Sequence, residues 1–417
     1  MFIFTLFLFT SIHVFVSSNK VEQVHLSLSG KTDEMVVTWL TQDPLPNVTP
    51  FVSYGVTNNN LRWTAKATTT AWKDGGKHGY TRYTHRATMK NMVPGDKYFY
   101  QVGSSQAVSD VYGFYQPDPT KPLRAAIFGD LAVKQGADSI KQLTSATQNG
   151  HFDMIIHIGD LAYDLHDDEG NHGDDYMNAI QPFAAHVPYM VFPGNHETDQ
   201  HFNHIINRFT MPKNGVYDDG LFWSIDYGYT HIIALNSEYY AEGMTKEAEA
   251  QYNWLVKDLA SNKALWTVVM FHRPWYCSTS SNKGCHAGDD MMSREGLPGF
   301  PGLEKLFHEH KVDIVMYGHK HTYERMWPIY NKKAFITKDP GHIKNPDAPV
   351  YMLTGAAGCH SHEGPSDSTP QDFSITRLGQ YGYTRLKVMN TTHMSTYFVD
   401  TTDPNGDFLD RFYIEKN

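Results

Sequence analysis

Apolar and polar positions divide this chain into two regimes. From about Val21 to Gln116 the pattern has a period of two. Val24-His25-Leu26-Ser27-Leu28 alternates, and Met35–Leu40, Phe51–Tyr54 and Tyr98–Val102 follow as short β-like runs. Pro44-Leu45-Pro46, Asn58-Asn59-Asn60 and Pro94-Gly95-Asp96 punctuate them. Short strands at this spacing predict an all-β sandwich. The run Pro117–Pro122 then reads as a stiff linker and a boundary.

Beyond it, strand-like runs alternate with helical ones. Leu123–Gly129 reads as a strand, Asp138–Gln148 as a helix and Asp153–Gly159 as the next strand. One such βαβ unit puts Asp130 and Asp160 at neighbouring parallel strand ends. Thr245–Ala260 and Gly302–His310 read as helices before the strands Trp266–Phe271 and Val312–Tyr317. From Val350 onward strand patterns return, closing with Tyr383–Met389 and Met394–Val399.

Composition narrows the class. The 417 residues suffice for about two or three domains. A hydrophobic share of 41% supports a real core rather than global disorder. The net charge of −10, without a long basic run, argues against nucleic acid as a partner. Residues 1–18 form a short apolar segment ending in small residues, the pattern of a cleaved secretory signal, although a basic start is lacking. No other apolar stretch is long enough to span a bilayer, so no stable membrane insertion is expected. Acceptor sequons at Asn47 and Asn390 agree with secretion. In an oxidising compartment Cys277 and Cys285 would pair across a polar loop, leaving Cys359 as a buried thiol or a link to another chain.

The candidate chemistry sits where apolar runs end. Gly129-Asp130, Gly159-Asp160-Leu161-Ala162-Tyr163, Gly194-Asn195-His196-Glu197, Phe271-His272 and Gly318-His319-Lys320-His321 each follow a strand-like run. Ligand-binding loops gather at strand ends in open α/β sheets. Any one of these motifs alone would pass as a strand-end turn; five together point to a site. Carboxylates are hard donors able to bridge two cations, and Asp160 is the natural bridge. Tyr163 would need a strong Lewis acid to lose its proton, which favours Fe(III). His196 follows Asn195 directly and should face the substrate instead of the same metal. His319 and His321, two apart, would share one side of an extended segment and serve adjacent metals.

The full set resembles the purple acid phosphatases, the binuclear branch of the metallophosphoesterases, in their two-domain, high-molecular-weight form. The likeness runs from Gln23-Val24-His25-Leu26 to Tyr381–Leu386. It implies an all-β, fibronectin type III-like sandwich at 19–118. An α/β metallophosphoesterase sandwich, two mixed sheets flanked by helices, would follow at 119–417. It implies an Fe(III) site of Asp130, Asp160, Tyr163 and His321. A divalent site of Asp160, Asn195, His272 and His319 would hold zinc, iron or manganese. His196 and His286 would be catalytic histidines near the phosphate, and Tyr323, Glu324 and Arg325 would support the ligands from behind. One departure stands out: the first motif reads Gly129-Asp130-Leu131-Ala132, where the family pattern has a second glycine. A positive φ at Ala132 would strain the loop.

The expected function is a secreted or lysosomal acid phosphatase acting on small phosphate monoesters through a metal-bound hydroxide nucleophile. The same centre would also suit phosphodiesters, pyrophosphates or phytate. A binding protein with a purely structural metal site is disfavoured, because structural sites close their coordination with protein ligands. A homodimer is compatible with these features.

Overall fold

The structure is a computed structural model that describes residues 20–278, 288–359, 361 and 370–417. The expected signal segment, Cys285 and His286 lie outside the described residues.

The first part is a sandwich of two four-stranded antiparallel sheets. One orders Glu22–Ser27, Met35–Thr41, Thr81–Met89 and Thr68–Lys73. The other orders Trp63–Lys66, Phe51–Gly55, Lys97–Gly103 and Tyr112–Tyr115. Strands one, two, five and six thus share a sheet while three, four, seven and eight form its partner, the Greek-key distribution of immunoglobulin-like sandwiches. Thr81–Met89 shows why the alternation was legible, because its buried and half-buried residues largely alternate.

Two larger mixed sheets make up the rest. The seven-stranded one runs Tyr189–Phe192, Met154–Ile158, Leu123–Phe128, Gly382–Val388, His393–Asp400, Phe408–Glu415 and His342–Lys344. Its first three strands are parallel. In the other sheet Thr230–Ala234, Trp266–Met270, Ile314–Tyr317 and Val350–Thr354 are parallel neighbours, flanked by antiparallel strands. Every residue of Met154–Ile158, Trp266–Met270 and Ile314–Tyr317 is buried, which is why these strands read as unbroken apolar runs.

Helices occupy Ala137–Gln148, Thr245–Ser261 and Glu304–Glu309, close to the expected spans. Two more, Asn171–Ala184 and Asp199–Arg208, were not apparent from periodicity. Gly173 and Pro182 interrupt the first, and its Asp174 is buried instead of solvated. No helix among the described residues is long and apolar enough to cross a membrane.

The sandwich docks on helix Asn171–Ala184 and strand Tyr189–Phe192. Val24 N–H donates to Gln181 Oε1 at 2.8 Å, and Tyr100 Oη–H to the Ala185 carbonyl at 2.7 Å. At the centre of the seam, Arg82 bonds Asp74 (3.0 Å) and Asp174 (2.8 Å), while Arg208 bonds Asp174 (2.7 Å). Burial alone would raise the Asp174 carboxyl, but Arg208 and Arg82 hold it down at about 2.

Candidate metal centre

The parallel strands of both sheets deliver their carboxyl ends to one place. The seven-stranded sheet supplies Asp130, Asp160 with Tyr163, and Asn195 with His196. The other supplies His272, His319 and His321. The loops approach so closely that only glycine fits between them. A Cβ on Gly159, at φ +85°, would lie 2.6 Å from His272 Nδ1, and one on Gly194 would lie 2.3 Å from Asp160 Oδ1.

Asp130, Asp160 and His321 place ligand atoms within 4.8 Å of one another, and so do Asp160, His272 and His319. Asp160 belongs to both groups. Tyr163 Oη lies 3.1 Å from Asp130 Oδ1 and 3.0 Å from His321 Nε2. Asn195 Oδ1 lies 2.7 Å from His319 Nδ1 and 3.2 Å from His272 Nε2. The sequence-predicted donors described by the structure therefore converge.

The orientation of the rings shows what the cluster would bind. His272 Nδ1–H donates to the Ile158 carbonyl at 2.9 Å, so its Nε2 lone pair faces Asn195 Oδ1 and, at 3.1 Å, Asp160 Oδ2. His321 Nδ1–H donates to the Ser361 carbonyl at 2.7 Å, so its Nε2 faces Tyr163 Oη and, at 3.3 Å, Asp130 Oδ1. Lone pairs aimed at carboxylate and amide oxygens need a cation between them. With only protons available, burial opposes the charge on His272, yet Asp160 pushes it up to about 10. The same contest leaves His321 at about 11, with Asp130 as its main partner. Burial and the Asp130 charge raise the Tyr163 phenol well above its ordinary value. An acidic metal would reverse that order and favour phenolate. The donor set thus fits two metal ions, one among Asp130, Asp160, Tyr163 and His321, the other among Asp160, Asn195, His272 and His319.

Two expectations are corrected. Gly318–His321 is a bend, not an extended segment. His319 has φ +71°, Asp130 Oδ2 accepts its N–H at 2.9 Å, and Lys320 N–H returns to the Gly318 carbonyl. The turn, not strand alternation, sends the rings to two groups. The triplet after His321 does not back the ligands. Tyr323 and Arg325 bond Asp410 across to the other sheet, and Glu324 accepts Ser278 N–H. At Ala132 the feared strain is absent: the positive φ falls at Asp130 instead. Cys359 is buried against Ala132 and Tyr163.

Residues 21–116 match the family described as purple acid phosphatase, N-terminal domain. Residues 123–323 match calcineurin-like phosphoesterase, and 348–411 match iron/zinc purple acid phosphatase-like protein C. Acid phosphatase type 7 of Mus musculus is 37% identical over 94% of this chain and 90% of its own length. Purple acid phosphatase 21 of Arabidopsis thaliana is 30% identical, over 88% and 79%. The solved purple acid phosphatase from yellow lupin (Lupinus luteus) seeds superposes with a TM-score of 0.83 at 25% identity, over 96% of this chain and 75% of that one. The chain belongs to the purple acid phosphatases. As such it is an acid phosphatase on a metallophosphoesterase fold, a family with a binuclear metal centre.

Three further residues of this purple acid phosphatase escaped the sequence reading. Glu197 accepts N–H bonds from Asp160, Leu161 and Gly194 at 2.8–2.9 Å and so ties two ligand loops together. Burial and the Asp160 charge push its carboxyl up. Asp290 Oδ1 stands 3.5 Å from His319 Nε2, on the ring nitrogen that does not face Asn195, where carboxylates commonly orient metal-binding imidazoles. Asp164 Oδ1 lies 2.5 Å from His196 Nδ1. That contact leaves His196 Nε2 pointing inward, 3.9 Å from Asp160 Oδ2. Burial opposes charge on His196, but Asp164 and Asp160 raise it to about 9. Only Glu197, inside a recognised motif, carried a local signal.

Proposed function

We propose that this chain is a secreted or lysosomal acid phosphatase hydrolysing phosphate monoesters at an Fe(III)–M(II) centre, M being zinc, iron or manganese. Asp130, Asp160, Tyr163 and His321 hold the ferric ion; Asp160, Asn195, His272 and His319 hold the divalent one. The observation that carries this reading is the facing of buried lone pairs: His272 and His321 aim Nε2 at oxygens of Asp160, Asn195 and Asp130. The secretory context rests on residues 1–18, on exposed Asn47 and Asn390 as glycan acceptors, and on a Cys277–Cys285 bridge.

The two cations, when bound, polarise phosphate oxygens and acidify a water molecule. The chain does the rest. Asp164 holds the His196 ring, keeps it protonated and aims Nε2 at the ester. His196 then donates that proton to the departing alkoxide or phenoxide oxygen. His286 is assigned a second phosphate contact through the family pattern. Glu197 and Asp290 hold the loops so that little rearrangement is needed during turnover.

Turnover of a nitrophenyl phosphate monoester against the bis(nitrophenyl) diester tests the reading. Faster monoester hydrolysis supports it. A preference for the diester would replace it with the phosphodiesterase reading, and no turnover of either by metal-loaded protein would remove both.

A further inference from the structure

The N-terminal sandwich touches the segment between Tyr163 and helix Asn171–Ala184 through one acidic residue. The Glu169 carboxylate accepts N–H bonds from Lys77 at 3.1 Å and His78 at 3.0 Å, and His78 Nδ1 lies 3.2 Å away. Those amides belong to the Asp74–Tyr80 turn of the sandwich. The approach is so close that a Cβ on Gly76 would lie 2.3 Å from Glu169 Oε2. From the same sandwich, Arg82 Nη2 donates to the Glu169 carbonyl at 2.9 Å.

The other end of this segment is Asp164, the partner of His196. Short bonds join the two ends. Asp167 N–H donates to the Asp164 carbonyl, Gly170 N–H to the carbonyls of His166 and Asp167, and Asn171 N–H to that of Asp168. Asp168, Glu169 and Gly170 all have positive φ, at 50°, 56° and 76°. Residues with side chains adopt that region only at a cost, so the turn needs an external hold. The sandwich supplies it at Glu169, while Arg208 Nη2 holds the Gly170 carbonyl at 2.9 Å.

We propose that Glu169 is a positioning residue through which the N-terminal sandwich sets Asp164 and, through Asp164, the His196 ring. This rests on the reading of His196 as the leaving-group acid. It gives the sandwich a part in the reaction without contact to substrate or metal. It also separates Glu169 from the Arg82–Asp174–Arg208 cluster, which holds the two parts together without using the Glu169 carboxylate.

The test compares an alkyl phosphate, whose leaving oxygen needs a proton, with nitrophenyl phosphate, whose leaving group does not. The full-length, metal-loaded chain is used, with metal content and melting temperature checked for each variant. Glu169→Ala should lower kcat on the alkyl ester by about tenfold, part of a general acid's usual worth, and barely change the nitrophenyl ester. Glu169→Gln, which keeps an acceptor oxygen, should recover most of the loss. Asp164→Ala combined with Glu169→Ala should be no worse than Asp164→Ala alone, since both act through one ring. Equal losses on both esters, no loss, or additive losses would overturn the proposal. His196→Ala separates the two readings. Selective loss there but not in Glu169→Ala overturns only the Glu169 role; no selective loss in His196→Ala overturns the acid assignment and this proposal with it.

Discussion

Two of the buried polar clusters among the described residues are closed in opposite ways. At the seam, Arg82 and Arg208 meet Asp74 and Asp174, and donor faces acceptor throughout. At the strand ends, imidazole lone pairs, carboxylates, an amide oxygen and a phenol face one another. The first cluster carries its own cations and needs nothing more. The second cannot be satisfied by its own side chains without charging buried histidines. Burial alone therefore does not mark a functional site; an excess of acceptors around one point does.

Between these extremes stands His231, clamped at 2.7 Å by both Asp226 and Asp258. There the missing cation is a proton. Burial opposes it, but the two carboxylates raise the ring to about 9.

The three clusters should break differently. The largest effect belongs to the metal centre. Asp160→Asn removes the residue shared by both groups. It should cut kcat by about a thousandfold or more, several kcal/mol of lost charge stabilisation, while the fold persists by circular dichroism. A loss under about tenfold would deny Asp160 a bridging place. Next comes the seam. Asp174→Ala leaves two buried guanidinium groups without their shared partner, and urea unfolding should show about 3–5 kcal/mol of destabilisation. A change under about 1 kcal/mol would mean that the seam behaves like a surface ion pair.

The smallest effect is at His231. Its folded pKa lies above the unfolded 6.5, so its contribution is complete below about 6.5 and is lost as pH rises towards about 9. The size is about 1–2 kcal/mol, because Asp226 is 77% exposed and water screens that half of the clamp. His231→Gln should flatten the fall in stability across that window relative to the unsubstituted chain. An unchanged slope would assign the pH dependence to other groups.

The same contrast explains what the sequence could reveal. The ligand-bearing strand ends were legible because buried parallel strands read as unbroken apolar runs, and Asp130, Asp160, Asn195 and His272 follow them within a few residues. Helix Asn171–Ala184 was hidden because its polar Asp174 faces the seam and its Pro182 reads as a breaker. Asp164 and Asp290 were hidden for a different reason. Each stands beside a histidine that folding brings near, 32 positions away for Asp164. The split of His319 and His321 was foreseen with the wrong cause, since a positive φ at His319 replaces the expected extended geometry.

The central claim is that the strand-end cluster holds iron through Tyr163. The most direct measurement is the visible absorption spectrum of the purified protein, with metal analysis on the same sample and Tyr163→Phe beside it. The account predicts a purple band, one iron and one divalent ion per chain, and loss of the band in Tyr163→Phe. A colourless protein loaded with zinc or manganese, or a band that survives Tyr163→Phe, would contradict it.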